Sequence, residues 1–255
     1  MGVSMATAKE WVERWELQQQ RYAVDREERF TVIADVVEHV TAGRPRPLLL
    51  DLGCGPGSLA ARLAARVPDA EIVAVDMDPL LLELGRTHHS GAARYVDAVI
   101  GDNGWTEALE LDRPLDAAVS TTALHYLPEP TLLDTYRRLA ALLRSGGVLV
   151  NGDHFPQDAT RCSELTAHVG RRRAERAGSH AHEDWQSWWS TAAQDPELAD
   201  LFTERAQRLS VRGGGSAGDD LSTARHAGLL RQAGFHHVTS VWQFGESHVL
   251  VAVKD

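Results

Sequence analysis

The chain has 255 residues, of which 43% are apolar and 24% are charged, and its formal net charge is −10. These values are ordinary for a globular protein, and the length suits one large α/β domain or a core domain with an insertion, although two small domains also fit it. No apolar run approaches the ~20 residues of a membrane-spanning helix, and an acidic chain would need to gather its basic residues into one patch to bind nucleic acid. We therefore expect no membrane and no nucleic-acid partner.

The N-terminal segment is predicted to be helical. Its first twenty residues mix charged and apolar side chains, which is typical of an amphipathic helix and not of a secretory signal, so we expect a cytoplasmic protein. Apolar positions at helical spacing continue towards residue 40, and we predict two capping helices within residues 1–40. Those positions are Trp11, Trp15, Tyr22, Phe30, Ile33, Val36, Val37 and Val40.

Strands and helices alternate within residues 41–255. The predicted strands are 48–52, 71–75, 94–100, 115–120, 147–151, 238–243 and 249–253, and the predicted helices are 58–66, 79–86, 106–111, 130–143 and 224–233. This succession requires right-handed crossovers between parallel strands. It predicts a Rossmann-like, mostly parallel seven-stranded sheet with helices on both faces, whose last strand is antiparallel because the final connection around Gly245 is short.

Residues 155–221 interrupt the alternation. The segment is polar, rich in Arg, His and Trp, and contains a glycine run at 213–215 near its end. An insertion after the fifth strand can cover the carboxyl ends of the strands, where open α/β sheets bind ligands. We predict a helical substrate lid.

The most informative motif follows the first predicted strand and reads Asp51-Leu-Gly53-Cys-Gly55-Pro-Gly57. Glycines at alternate positions let the backbone turn tightly and approach a ligand, and the next helix presents free N–H groups there. Asp76 stands nineteen residues after Gly57, at the end of the second strand. A carboxylate at that place can accept hydrogen bonds from both hydroxyls of a ribose.

The spacing distinguishes between cofactors. Dinucleotide-binding enzymes show G-x-G-x-x-G, whereas this loop reads G-x-G-x-G and is preceded by Asp51, which suits a cationic cofactor better than a pyrophosphate. Residues 48–149 resemble class I S-adenosylmethionine-dependent methyltransferases. The resemblance implies S-adenosyl-L-methionine as the cofactor.

The resemblance also implies the residues that hold the cofactor. The core set is Asp51, Gly53, Gly55, Gly57, Asp76, Met77, Asp102, Asn103 and Thr121. In this family the loop after the third strand holds the adenine, which gives Asp102 and Asn103 their role; Asp76 as a helix cap and Asp102 as a turn residue are the structural alternatives. The N-terminal segment resembles the capping helices of small-molecule members, which adds Tyr22 and Arg29 as cofactor contacts.

Three residues near the ends of the fourth and fifth strands are candidates for acid–base chemistry. Methyl transfer to a hydroxyl or a protonated amine requires a base, and His125 follows the fourth strand on the expected cofactor side. Asp153 and His154 close the fifth strand and form a second candidate pair. The alternative for His125 is a structural hydrogen bond within its loop.

Aromatic residues are candidates for the acceptor pocket. Trp185, Trp188 and Trp189 share helical spacing, which is typical of a buried helix face but also suits a wall around a flat or cationic acceptor; Tyr126 is the fourth candidate. His180, His182, Glu183 and Asp184 lie near them, but their spacing is loop-like, and we predict no metal site.

These patterns favour an enzyme that methylates an O or N atom of a small-molecule metabolite or natural product. A catalytically silent S-adenosylmethionine-binding partner protein is the first alternative, and a nicotinamide-dependent oxidoreductase is a weaker one because of the glycine spacing. A homodimer is left open. The sequence does not specify the acceptor.

Overall fold

The computed structural model describes residues 2–212 and 221–255. Its strands are β1 (Leu48–Leu52), β2 (Glu71–Asp76), β3 (Arg94–Asp97), β4 (Leu115–Thr121), β5 (Leu143–His154), β6 (Phe235–Phe244) and β7 (Ser247–Lys254). Its α-helices are α1 (Met5–Tyr22), α2 (Arg26–Thr41), α3 (Ser58–Arg66), α4 (Pro79–His88), α5 (Trp105–Ala108), α6 (Glu129–Leu142), α7 (Thr160–Ala177), α8 (Trp185–Ala192), α9 (Ala199–Arg212) and α10 (Thr223–Gln232). Within these ranges, no helix combines the length and the apolar character that a bilayer crossing needs.

The seven strands form one sheet in the order β3-β2-β1-β4-β5-β7-β6. β1 to β5 pair in parallel, whereas β7 runs antiparallel to both β5 and β6. The predicted Rossmann-like sheet with an antiparallel last strand is therefore confirmed. The strand order reverses between β1 and β4, and ligands of open α/β sheets bind at such a switch point.

A hydrophobic core lies on each face of the sheet. Phe30 and Ile33 of α2 and Leu63 of α3 pack on one face, while Tyr136 of α6 and Leu229 of α10 pack on the other. All five residues of β1 are buried. A strand covered on both faces has no polar side to alternate with, which explains a run that is apolar except for Asp51.

The ends of several strands differ from the predicted ones. β3 ends at Asp97, opposite Asp76 of β2, and not near residue 100; the chain then turns through Gly101 at φ 93°. β5 reaches His154, because its register with β7 continues to Ser247. The end of a strand depends on how far its pairing with the neighbouring strand continues. Apolar periodicity does not show this pairing, which explains why both predicted ends differ from the observed ones.

The insertion contributes α7, α8 and α9; the segment around α8 lies against α1, and α9 lies against α4. Trp11 Nε1 donates to Asp195 at 2.7 Å, and Arg14 pairs with Glu183 at 2.6 Å. The fully buried Trp188 lies edge-on to Trp11, with ring centroids 5.5 Å apart. The glycine run at 213–215 lies outside the described residues.

Candidate functional site

The glycine loop is built so that only glycine fits at two of its positions. Gly53 has φ 67° and Gly57 has φ 82°, in the left-handed region that other residues rarely adopt. A Cβ on Gly53 would stand 2.3 Å from Cβ of Ala123, and one on Gly57 would stand 2.1 Å from the hydroxyl of Tyr95. The loop therefore packs directly against the segment that follows β4.

Asp51 is a buried carboxyl group at the start of this loop. It is 1% exposed, and neither of its oxygens has a hydrogen-bond partner among the described residues. Burial raises its pKa to about 7, although the nearby N–H of Ala60 opposes part of that effect. A buried acceptor without a partner is costly, so the site suits a ligand that brings a cation or a hydrogen-bond donor.

Asp76 ties the end of β2 to the glycine loop. Its Oδ2 accepts the N–H of Gly55 at 2.8 Å, and its Oδ1 accepts the N–H groups of Met77 at 2.7 Å and Asp78 at 3.0 Å. Burial raises the pKa of Asp76, and these hydrogen bonds oppose the increase. The side chain lies where the sequence predicts a ribose-binding carboxylate, and the helix cap of α4 is Asp78 instead.

The residues predicted to hold the adenine lie in an exposed turn. Asp102 and Asn103 are both exposed and follow β3 by several residues, because β3 ends earlier than predicted. The acid at the strand end is Asp97, and Arg208 of α9 donates to it at 2.7 and 2.6 Å. The adenine-binding role of Asp102 and Asn103 stays a prediction.

Helix α9 brings the insertion to the carboxyl ends of β2 and β3. Arg205 donates to Asp78 at 2.6 Å and stacks on Trp189 with its guanidinium 3.8 Å from the ring centroid, while Arg208 also donates to the carbonyl of Met77 at 3.2 Å. No pattern in the sequence predicts these contacts of the two arginines. They connect the predicted lid to the edge of the sheet at which Asp76 lies.

His125 and Asp153 come together at the ends of β4 and β5. Nδ1 of His125 lies 3.0 Å from both carboxyl oxygens of Asp153, whose side chain is 1% exposed. Burial alone raises the pKa of Asp153, but His125, the charge of Arg29 and the backbone N–H of His154 outweigh it and leave the pKa below its usual value. Since an ionised carboxylate only accepts hydrogen bonds, Nδ1 of His125 carries the hydrogen of this contact.

His154 and Arg29 form a separate pair beside the dyad. Nη2 of Arg29 lies 3.2 Å from Nε2 of His154. Desolvation of the ring, together with the Arg29 charge, lowers the pKa of His154 to about 4, even though part of the residue is exposed. The contacts recorded for the Arg29 guanidinium are with β5 and Ser247, so its role towards the cofactor stays a prediction.

A cleft of about 250 Å³ leads from the surface to His154. Arg21 and Tyr22 of α1, Arg171 of α7 and Ser247 line it. The Tyr22 hydroxyl accepts the backbone N–H of Trp185 at 2.9 Å, which joins the N-terminal helix to the insertion. Tyr22 thus lies in the wall of the cleft that His154 also lines, and its contact with the cofactor stays a prediction.

The predicted acceptor-binding aromatics are divided between core and surface. Trp188 is fully buried, which agrees with the alternative of a buried helix face, whereas Trp185 is 39% exposed and Tyr126 is 61% exposed. Trp15 joins the cluster, 5.1 Å from Trp188 between ring centroids. A Cβ on Gly55 would lie 3.8 Å from the Trp15 ring, so this cluster reaches the glycine loop.

Thr121, the last predicted cofactor contact, ends β4 and is half-buried opposite Gly152 of β5. Among the described residues, no group of three or more His, Cys, Asp or Glu side chains has a metal-binding arrangement. The side chain of His180 lies outside the described part of the chain.

Residues 49–147 match the profile of a family described as methyltransferase domain. Two relatives are named trans-aconitate 2-methyltransferase. The protein from Methylobacterium radiotolerans is 38% identical over 124 residues, which are 48% of this chain and 44% of the relative. The protein from Streptomyces coelicolor is 32% identical over 170 residues, which are 64% of this chain and 53% of the relative. The chain thus spans about half the length of these relatives.

A solved structure with the same fold is magnesium protoporphyrin IX methyltransferase from Synechocystis PCC 6803 with bound S-adenosylhomocysteine. It aligns over 96% of this chain and 94% of its own length, with a TM-score of 0.57 and 15% identity, and at this identity the likeness shows the fold alone. The profile match, the relatives and the shared fold point to the same family as the glycine loop and the buried Asp51 before it. Residues 49–147 thus form a methyltransferase domain of the class I, S-adenosylmethionine-dependent type.

Proposed function

We propose that this protein transfers a methyl group from S-adenosylmethionine to an O or N atom of a small molecule, with His125 as the general base. The observation that carries the proposal is the His125–Asp153 dyad beside the glycine loop. Ala123, two residues before His125, is the residue that a Cβ on Gly53 would strike. The base and the predicted cofactor loop are therefore neighbours.

The residues of the loop fit the proposed cofactor. Asp51 offers two buried, unpartnered acceptor oxygens to a cationic group, and Asp76 offers a carboxylate to the ribose hydroxyls. When bound, S-adenosylmethionine supplies a methyl group activated by its positively charged sulfur.

The dyad provides the proton acceptor that a hydroxyl or an ammonium group needs. Asp153 holds the His125 ring through Nδ1. In the neutral form of the ring, Nε2 takes the acceptor's proton as the nucleophile attacks. The imidazolium that forms is stabilised by the buried carboxylate. This is the division of roles in the Ser-His-Asp template, with the acceptor molecule in the place of the serine.

A carboxylate acceptor is the second candidate. The curated relatives are named for methylation of trans-aconitate, and Arg21 and Arg171 line the cleft that leads to His154. A carboxylate is already deprotonated at neutral pH, so its methylation needs alignment and exclusion of water but no base. The two candidates therefore differ in whether the rate depends on His125.

The experiment supplies the purified protein with S-adenosylmethionine labelled with ¹³C in its methyl group. The acceptors are trans-aconitate alone and, separately, a protein-free extract of bacterial metabolites. NMR of the products then reports the atom that carries the label. We expect an O-methyl ether or an N-methyl product, while a methyl ester would favour the carboxylate candidate. Saturable cofactor binding without any labelled product would support the silent binding protein.

A further inference from the structure

Arg29 is a fully buried arginine whose guanidinium contacts the end of β5 and the start of β7. Nη1 donates to the carbonyl of Gly152 at 3.2 Å, and Nη2 donates to the Ser247 hydroxyl at 2.8 Å and lies 3.2 Å from Nε2 of His154. A Cβ on Gly152 would stand 2.6 Å from Cδ of Arg29. Glycine at this position therefore lets the arginine lie directly on the strand that carries Asp153 and His154.

The contact with Arg29 determines what His154 can do. A guanidinium only donates hydrogen bonds, so Nε2 of His154 must be the acceptor and its lone pair is occupied. A proton on Nε2 would face the guanidinium across 3.2 Å, and two cations at that distance repel each other. Burial lowers the pKa of Arg29 only to about 10, so the guanidinium stays charged at neutral pH.

The charge of Arg29 also acts on Asp153. The charge of Arg29 lowers the pKa of Asp153 and that of Asp153 raises the pKa of Arg29, so each buried charge helps to keep the other ionised. A buried carboxylate without an opposite charge tends to bind a proton. If Asp153 were protonated, its carboxyl group could also donate a hydrogen bond and would no longer act towards His125 only as an acceptor.

We propose that Arg29 is a positioning residue that keeps His154 neutral and Asp153 ionised, and thereby makes His125, and not His154, the base of the site. The part that concerns catalysis rests on the proposed function, whereas the protonation of His154 does not. Arg29 needs no contact with the cofactor in this role.

Several other charged or titratable groups face Arg29. Asp25 and Arg26 lie on or next to its own helix, Asp153 and His154 on β5, and His248 on β7. Arg29 lowers the pKa of His248 as it does that of His154. Removal of the guanidinium should therefore raise the pKa of both histidines, while His236 and His237, on the far strand β6, act as internal references.

The test is an NMR titration of the histidine rings in the full chain. In the wild-type protein we expect His154 to be neutral at pH 6, with the hydrogen on Nδ1. In Arg29→Gln we expect the pKa of His154 to rise from its wild-type value towards the ordinary histidine value of roughly 6.5, but to stay below it because the ring is still desolvated. In Arg29→Lys, which keeps the charge, we expect His154 to stay largely neutral at pH 6. Arg66→Gln, which removes an exposed arginine paired with Asp35 and Glu38, is the matched control and should change nothing at His154.

Each outcome bears on the proposal. A wild-type His154 that is protonated at pH 6, or that carries its hydrogen on Nε2, would overturn it, even if Arg29→Gln does not fold. An unchanged His154 titration in a folded Arg29→Gln would also overturn it. Loss of S-adenosylhomocysteine affinity in Arg29→Lys, with His154 unaffected, would support the cofactor role that the sequence predicts for Arg29.

The pH dependence of kcat tests the catalytic part of the proposal. Loss of a nearby cation favours the protonated form of a histidine base, so the acid limb of kcat in Arg29→Gln should move to higher pH by about one unit. If the protein transfers no methyl group but His154 behaves as expected in the NMR titration, the proposed function fails and the role of Arg29 in His154 protonation remains. A kcat profile with an unmoved acid limb would remove the catalytic part of the proposal.

Discussion

Substitution of His125 by alanine is expected to lower kcat by ~10²–10⁴-fold and to leave the affinity for S-adenosylhomocysteine nearly unchanged. The reason is that a general base acts in the transition state and contributes little to cofactor binding. The dyad geometry supports this expectation, since the buried carboxylate of Asp153 holds the His125 ring through Nδ1. The measurement compares steady-state rates on the same acceptor with calorimetric binding of S-adenosylhomocysteine.

The matched variant is His154→Ala, which removes the other histidine near the end of β5. Because Arg29 occupies its Nε2, we expect a much smaller loss of kcat than in His125→Ala. The reverse order of effects would make His154 the base. Wild-type rates in both variants would mean that alignment and exclusion of water suffice, as for an acceptor that arrives already deprotonated.

Substitution of Asp76 by alanine is expected to weaken binding of S-adenosylhomocysteine by ~1–3 kcal/mol, through loss of charge-assisted hydrogen bonds to the ribose. The side chain also accepts the N–H groups of Gly55, Met77 and Asp78, so part of the loss can come from a looser loop. Asp76→Asn retains one acceptor oxygen and the size of the side chain. It therefore separates the effect of charge from that of loop geometry.

Asp35→Asn is the control, because Asp35 is an exposed acid on α2 that pairs with Arg66. It should bind the ligand as the wild-type protein does. Undiminished affinity in Asp76→Ala would remove the basis for the ribose assignment. The raised pKa of Asp76 also predicts how binding depends on pH. Binding should weaken as the pH falls through that pKa, since a neutral carboxyl group accepts hydrogen bonds less strongly.

The sheet could be predicted from the sequence because its central strands are buried on both faces. Residues 48–52 and 58–66 have the predicted bounds, since a continuous apolar run ends there in a glycine loop and a helix begins after it. The bounds of the strands at the edge of the sheet are harder to predict. β3 at the sheet edge has one buried residue, Val96, and its end depends on pairing with β2, which periodicity does not show.

The candidate site could be predicted where it depends on local chain geometry. The glycine loop, Asp76 and the strand-end positions of His125 and Asp153 are of this kind. The contacts of Trp15, Arg205 and Arg208 could not be predicted, because they join helices of the N-terminal segment and the insertion to the sheet over long sequence separations. The partners of Arg29 belong to the same class, since they lie more than a hundred residues away along the chain.

The most direct test of the account is a calorimetric titration of the protein with S-adenosylhomocysteine between about pH 6 and pH 8. Burial raises the pKa of Asp51 to about 7, so this carboxyl group is partly protonated in the free protein. A ligand ammonium group beside it favours the ionised form. We therefore predict saturable binding of one ligand per chain that releases protons and becomes tighter as the pH rises, and no such binding of NADH. Absence of saturable heat with S-adenosylhomocysteine, or saturable binding of NADH in its place, would contradict the account.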